Sequence, residues 1–417
     1  MNKKETLPNG VRIITEEMPY VRSASIGIWV GAGSRDESES NNGIAHFIEH
    51  MLFKGTTARS AKDIAETLDA VGGQLNAFTS KEYTCYYAKV LDEHLDIAID
   101  LLSDMFFNST FKEEDIEKEK NVIIEEIKMY EDTPDELVHD LFANTLWSGH
   151  PLGRSVIGTA GIISQITRKD LVDFMEGYYR PDGVVVAVAG NIKHDEVIGK
   201  LAPIFSNNTS PRNERKYVAP TAGSRVYYRK KDTEQVHFCL GTPGLPLDHD
   251  DIYVLHVMNS VLGGGISSRL FQEIREERGL AYSIYTYHSS YRDAGLFSIY
   301  AGLSPGNLND VISLITKEMK SLRVNGITKE ELARTREQLK GSILLGLENV
   351  SSRMSRIGKS ELCLNRVVSV EEAVERINRV TADDVRELAQ QLFTGEKIVV
   401  SSIGPETEES GLTVNID

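Results

Sequence analysis

Apolar positions in the first half of the chain change period several times. Val11-Arg12-Ile13-Ile14-Thr15 and Ala24-Ser25-Ile26-Gly27-Ile28-Trp29-Val30 are short runs rich in β-branched residues and predict strands. A helical period over 61–71 closes at Gly72-Gly73. Residues 76–79 and 84–90 then predict a hairpin or meander, and long helical patterns cover 91–107 and 113–130. The continuous apolar run at 184–189, closed by Gly190-Asn191, predicts a buried strand. Near Ser206-Asn207-Asn208-Thr209-Ser210-Pro211-Arg212-Asn213-Glu214 the pattern turns polar and uncommitted, which marks a linker close to the midpoint.

One apolar stretch is interrupted in a way that demands chemistry. Gly43-Ile44-Ala45-His46-Phe47-Ile48-Glu49-His50-Met51-Leu52 contains His-x-x-Glu-His among residues that should be buried. Residues four apart on a helix lie one above the other, so His46 and His50 face the same way. Leaving such groups buried and unpaired costs on the order of 2–7 kcal/mol each, and a metal or a polar cleft removes that penalty. Two imidazoles at this spacing can hold one zinc ion, and Glu49 beside them can take a proton from a water held by the metal. The order is the inverse of the common His-Glu-x-x-His.

The midpoint linker prompts a search for a repeat. Leu255-His256-Val257-Met258-Asn259-Ser260-Val261-Leu262, followed by Gly263-Gly264-Gly265, lies about 210 positions after the motif. It keeps the first His and the apolar frame but has Asn259 and Ser260 in place of Glu49 and His50. Each half then reaches a glycine-marked strand, Gly72-Gly73-Gln74-Leu75 in one and Gly279-Leu280-Ala281-Tyr282 in the other. The expectation is two α+β domains of the same fold, 1–212 and 213–417, with only the first able to bind metal.

Zinc sites that do chemistry usually have three protein ligands and an open position, so a third ligand is needed. On the helix expected over 113–130, Glu119 and Glu126 share one face, grouped with Val122, Ile123, Ile127 and Tyr130 as the inward one. Glu125 is rotated about 100° toward solvent. Glu126 is therefore the preferred ligand. Glu119 either orients a ligating His or is an ordinary partner of Lys120 or Lys112.

Composition narrows the setting. The 417 residues are 41% hydrophobic and 26% charged, enough apolar material for two domains. No apolar run approaches the roughly 20 residues of a membrane span, and the N-terminus lacks the apolar core of a signal peptide, so the cytoplasm is expected. A formal net charge of −16 and the absence of a basic stripe with interleaved aromatics argue against nucleic acid. Cys85, Cys239 and Cys363 lie far apart with no Cys-x-x-Cys, and are expected to be reduced and structural.

These residues together resemble the insulinase/pitrilysin family of zinc peptidases, nearest its short branch similar to mitochondrial processing peptidases. The likeness rests on Asn41-Asn42-Gly43 through Phe53-Lys54-Gly55-Thr56, Leu75-Asn76-Ala77-Phe78-Thr79-Ser80, Glu119 through Glu126, His150-Pro151-Leu152-Gly153-Arg154 and Gly158-Thr159. It implies two α/β-sandwich domains, each an antiparallel-rich sheet covered by helices, forming half of a clamshell. It implies one Zn2+ per chain on His46, His50 and Glu126, with Glu49 as general base and Glu119 as a supporting carboxylate. It implies peptide bound as an added β-strand along Asn76, Ala77, Phe78 and Thr79. Arg275 and Tyr282 resemble the family's pair that holds the substrate carbonyl and would stabilise an oxyanion; by residue type alone they read as a surface Arg and a core Tyr. Gly263-Gly264-Gly265 resembles a glycine-rich loop of the family or is a helix C-cap. Because the chain has both the metal motif and the Arg–Tyr pair, a homodimer with two shared sites is expected. The resemblance thus implies a zinc endopeptidase acting on peptides or presequence-like segments in an enclosed chamber. A non-catalytic peptide-binding or scaffold subunit is the alternative. Another metalloenzyme class with the same His-x-x-Glu-His order is much shorter and uses a Cys ligand, and no Cys lies near the motif here.

Overall fold

The computed structural model describes residues 2–206, 215, 217–223 and 225–405. Apart from Ser206, the expected linker lies outside the described residues, as does the expected cut at 212/213.

Six strands form the first sheet: β1 (Asn2–Thr6), β2 (Arg12–Glu17), β3 (Ser23–Val30), β4 (Gln74–Thr79), β5 (Thr84–Leu91) and β6 (Val184–Gly190), in the order β1-β2-β6-β3-β5-β4. Five form the second: β7 (Arg225–Lys230), β8 (Val236–Pro243), β9 (Ala281–Ser290), β10 (Gly295–Leu303) and β11 (Val399–Gly404), in the order β7-β11-β8-β10-β9. Leaving out β1, the two orders are identical when β2 to β6 are matched in turn to β7 to β11. Directions agree as well: β2–β6 and β7–β11 are parallel and every other pair is antiparallel. The repeat expected from two short motifs is the plan of both sheets. Strand β1 was not expected, because its polar Asn-Lys-Lys-Glu-Thr has no apolar alternation; it adds an exposed edge beside β2.

Helices fill the same connections in each half. Between β3 and β4 lie α1 (Ile44–Leu52) and α2 (Ala61–Asp69). Between β5 and β6 lie α3 (Leu95–Asn108), α4 (Glu113–Glu131), α5 (Pro134–Leu146), α6 (Ala160–Ile163) and α7 (Arg168–Tyr178), with α8 (His194–Phe205) after β6. In the second half α9 (Ile252–Gly263) stands between β8 and β9. Following β10 come α10 (Leu308–Asn325), α11 (Lys329–Gly346), α12 (Val350–Leu364), α13 (Val370–Arg379) and α14 (Ala382–Leu392). Helix α3 starts four residues later than the periodicity suggested, because Leu91 ends β5 and Asp92–His94 form a tight turn. None of these helices is long and apolar enough to cross a membrane.

Two compact units result, and neither is contiguous. One comprises the described residues of Met1–Lys128, Ser155–Arg215 and Leu345–Val368; the other comprises those of Met129–Arg154, Lys216–Leu344 and Ser369–Asp417. The third helix after β5, α5, thus belongs with the second sheet, and the third helix after β10, α12, belongs with the first.

Strand alternation explains how each exchanged helix finds a face. On β3, Ala24, Ile26, Ile28 and Val30 join the core under α1 and α3, while Trp29 joins Val350, Met354 and Ile357 of α12. On β8, Val236, Phe238 and Leu240 face α9 and α10, while Cys239 joins Val138 and Phe142 of α5. A glycine on each strand lets the exchanged helix approach. A Cβ on Gly27 would stand 2.6 Å from Met354 Sδ, and one on Gly241 would stand 2.8 Å from Phe142 Cζ and closer still to the Phe297 backbone. Ion pairs add to the first interface: buried Glu361 of α12 meets Lys4 at 3.2 Å and Arg12 at 3.3 Å.

Candidate metal centre

Helix α1 begins at Gly43 with φ 97°, a conformation that favours glycine, and a Cβ there would also lie 2.8 Å from the Ile157 carbonyl oxygen. The buried carboxylate of Glu37 caps this end. It accepts hydrogen bonds from the backbone N–H of Gly43 (2.9 Å) and Ala45 (2.9 Å) and from Asn42 Nδ2 (2.7 Å). Sequence reasoning missed Glu37, since it lies in a loop six residues ahead of the cap residue Gly43. The same loop is clamped to the β4–β5 turn by a buried Arg35–Glu82 pair at 2.6 Å. The elements presenting His46, Glu49 and Thr79 are therefore tied together.

The structure brings His46, His50 and Glu126 to one point. One ligand atom from each lies within 4.8 Å of the others. His46 Nε2 and His50 Nε2 are 3.2 Å apart; Glu126 Oε1 is 3.8 Å from the first and Oε2 is 3.5 Å from the second. Two imidazole nitrogens and a carboxylate aimed at one point are the donor set of a zinc site with a fourth position open. His50 Nδ1 bonds Glu119 Oε1 at 2.9 Å, leaving Nε2 for the centre. Among the described residues, His46 Nδ1 is buried without a hydrogen-bond partner.

On α4, Ile116, Glu119, Ile123 and Ile127 are buried and Glu126 stands at the rim of that face. Val122, expected inward, is exposed. The buried face centres between Ile116 and Ile123, about 100° from Val122 at 100° per residue. Glu125 points outward and pairs with Lys128 at 2.7 Å, while Lys120 pairs with Glu117 rather than Glu119.

Charge distribution follows from these contacts. Burial, and next the neighbouring His50, push His46 down to about 4, so it is a neutral imidazole. Burial opposes protonation of His50 too, but hydrogen bonds to Glu119 and Glu126 win and raise it to about 9. The carboxylates of Glu119 and Glu126 thus favour positive charge at this point. Burial raises Glu49 above its ordinary range, opposed by a hydrogen bond from the Thr79 hydroxyl at 2.5 Å.

Thr79 ends β4, the edge strand of the first sheet, which among the described residues pairs only with β5. Asn76, Ala77, Phe78 and Thr79 all lie on this edge, and Asn76 Oδ1 accepts from the Ala77 N–H at 2.8 Å. A cavity of about 620 Å³, lined by Phe53, Lys54, Ile64, Leu68, Leu75 and Asn76 among others, runs beside it.

In the other unit, Arg275 lies in a π-helical turn, Phe271–Glu276. Its guanidinium carbon is 4.8 Å from the Phe271 ring centre and 5.1 Å from that of Tyr282. Tyr282 is 75% exposed, which corrects its reading as a core residue from type alone. The degenerate motif sits on α9. There His256 Nδ1 faces His288 Nε2 at 3.0 Å and the Ser260 hydroxyl donates to Gln338 Oε1 at 3.2 Å. Gly264 caps the end of α9, and a Cβ on Gly263 would lie 2.6 Å from Thr286, so these glycines close the helix and let β9 approach.

Known proteins place this architecture. Residues 12–160 match the family model described as insulinase (peptidase family M16), and 165–339 match the model of the peptidase M16 inactive domain. Bacillus subtilis has a relative named as an uncharacterized zinc protease, YmxG, 49% identical over 97% of this chain and 98% of its own length. A Streptomyces coelicolor relative with the same description, SCO5738, is 46% identical over 97% of this chain and 89% of its own. Among solved structures, a protease from Helicobacter pylori superposes with a TM-score of 0.89 at 23% identity, covering 97% of this chain and 99% of that one. The chain belongs to the insulinase family, peptidase family M16.

Proposed function

We propose that the protein is a zinc-dependent endopeptidase of processing-peptidase type. It would cleave peptides or unfolded presequence-like segments within an enclosed chamber. The observation that supports this most is the meeting of His46, His50 and Glu126 next to Glu49, which itself touches the open-edge strand β4 through Thr79.

His46, His50 and Glu126 would hold one Zn2+ per chain. Zinc bound there supplies Lewis acidity toward a carbonyl oxygen and makes water more acidic. A peptide paired with the outer edge of β4 along Asn76, Ala77, Phe78 and Thr79 runs past Glu49 and is held through its backbone, with little demand on its sequence. Glu49 accepts the proton of the attacking water and returns it to the leaving amine, a role suited to a carboxylate raised by burial. The Thr79 hydroxyl keeps Glu49 oriented. Glu119 fixes the His50 ring through Nδ1. Arg275 and Tyr282 of a partner subunit would donate to the developing oxyanion, which makes the active form a homodimer.

Metal analysis of the purified chain tests the centre. One zinc per chain is expected, with Glu126→Gln and His46→Ala each weakening binding by at least about tenfold, since each removes one of three protein ligands. Unchanged zinc content in both variants would overturn the assignment.

A further inference from the structure

We infer that Lys54 is a positioning residue of the metal centre, acting through Glu119. This rests on the metal site proposed above and adds a residue to it. Glu119 is only 3% exposed, and its two carboxylate oxygens are divided between two partners. Oε1 meets His50 Nδ1 at 2.9 Å, and Oε2 meets Lys54 Nζ at 2.6 Å. Lys54 lies four residues beyond His50, just past the end of α1, where its own N–H bonds the Met51 carbonyl. The helix thus delivers the ligand and the cation to the same carboxylate from successive turns, and a cation at a helix C-terminus is favoured besides.

The physical reasoning is geometric. A buried carboxylate with one donor can rotate to satisfy its other oxygen elsewhere, and an unpaired buried anionic oxygen is costly. Lys54 occupies that second oxygen and locks the carboxylate plane. The other oxygen of Glu119 is then left facing His50 Nδ1, which holds the imidazole with Nε2 turned toward His46 and Glu126. Lys120 and Lys112 do not serve: Lys120 is engaged with Glu117, and the ion pairs of Glu119 run to His50 and Lys54. Lys54 also lines the cavity beside β4.

The test is a double-mutant cycle read as zinc affinity of the full-length chain, measured by competition with a chromogenic chelator at fixed pH. Supporting partners of a ligating His typically change metal affinity 10–100-fold. Lys54→Met should weaken zinc about tenfold, Lys54→Arg should stay within about threefold of wild type, and Lys54→Met should add nothing in a Glu119→Gln background. If Lys54→Met leaves zinc affinity unchanged and alters only KM for peptide, or if its effect persists in Glu119→Gln, the inference is overturned and the metal site stands. If the wild-type chain binds no zinc, the metal site itself falls, and the inference with it.

Discussion

His256 shows what happens to a metal-motif histidine when its partners are replaced. With Asn259 and Ser260 beside it, the half-buried ring faces His288 at 3.0 Å. Burial, and then His288, lower it to about 4 from an ordinary 6.5. Between those values the unfolded chain binds a proton that the folded chain does not, so stability rises with pH across the window. The contribution is complete above about 6.5 and lost as pH falls toward about 4, amounting to roughly 3 kcal/mol. Urea titrations at pH 7 and pH 5 should show the midpoint falling at the lower pH, and His256→Gln should shrink that fall. An equal fall in the variant would remove His256 as its cause. The first motif was legible in the sequence because three polar residues stood in an apolar helix. Glu126 was legible from helical phase. Glu37 and the bond from Thr79 to Glu49 were not, because they depend on loop closure and strand pairing, which residue spacing does not encode; Lys54 stands at helical spacing from His50, but its meeting with Glu119 depends on how α4 packs.

At the level of elements, the two sheets share one order, yet each borrows its outer helix from the opposite half of the sequence. In the first half, β2 to β6 were readable from periodicity, since β3, β5 and β6 alternate or run apolar as buried strands do, while β1 and most of the second sheet were not. The exchange was not readable. Helices α5 and α12 are amphipathic like their neighbours, and nothing in a helical period says which sheet receives it. The trace it leaves is small: Gly27 and Gly241 interrupt otherwise β-favouring runs where a helix comes close. Gly27→Val should force Met354 and α12 off the first sheet and lower stability by about 1–3 kcal/mol. A melt of Gly27→Val matching wild type would contradict close packing of α12 at that strand. Phe142, at 2.8 Å from the Cβ position of Gly241, makes the corresponding contact on the second sheet.

At the scale of the whole molecule, the resemblance to the insulinase family reached further than physical reading of the residues could. The family, its paired domains and the relatives named as zinc proteases agree with it. Arg275 and Tyr282 gave no signal of their own; the structure stacks them and leaves Tyr282 exposed. The homodimer proposed from the presence of both residue sets predicts that peptide-cleaving activity elutes in size-exclusion chromatography at twice the chain mass. Activity confined to the monomer fraction would rule out shared sites. The central claim, a zinc peptidase whose base is Glu49, is tested most directly by incubating the protein with a mixed peptide library and reading the products by mass spectrometry. Cleavage by the zinc-loaded wild type should stop with chelator and return with added zinc. Glu49→Gln should keep its zinc and lose at least about a hundredfold in rate. Cleavage that survives chelation, cleavage by Glu49→Gln at the wild-type rate, or no cleavage by the zinc-loaded wild type would contradict the account.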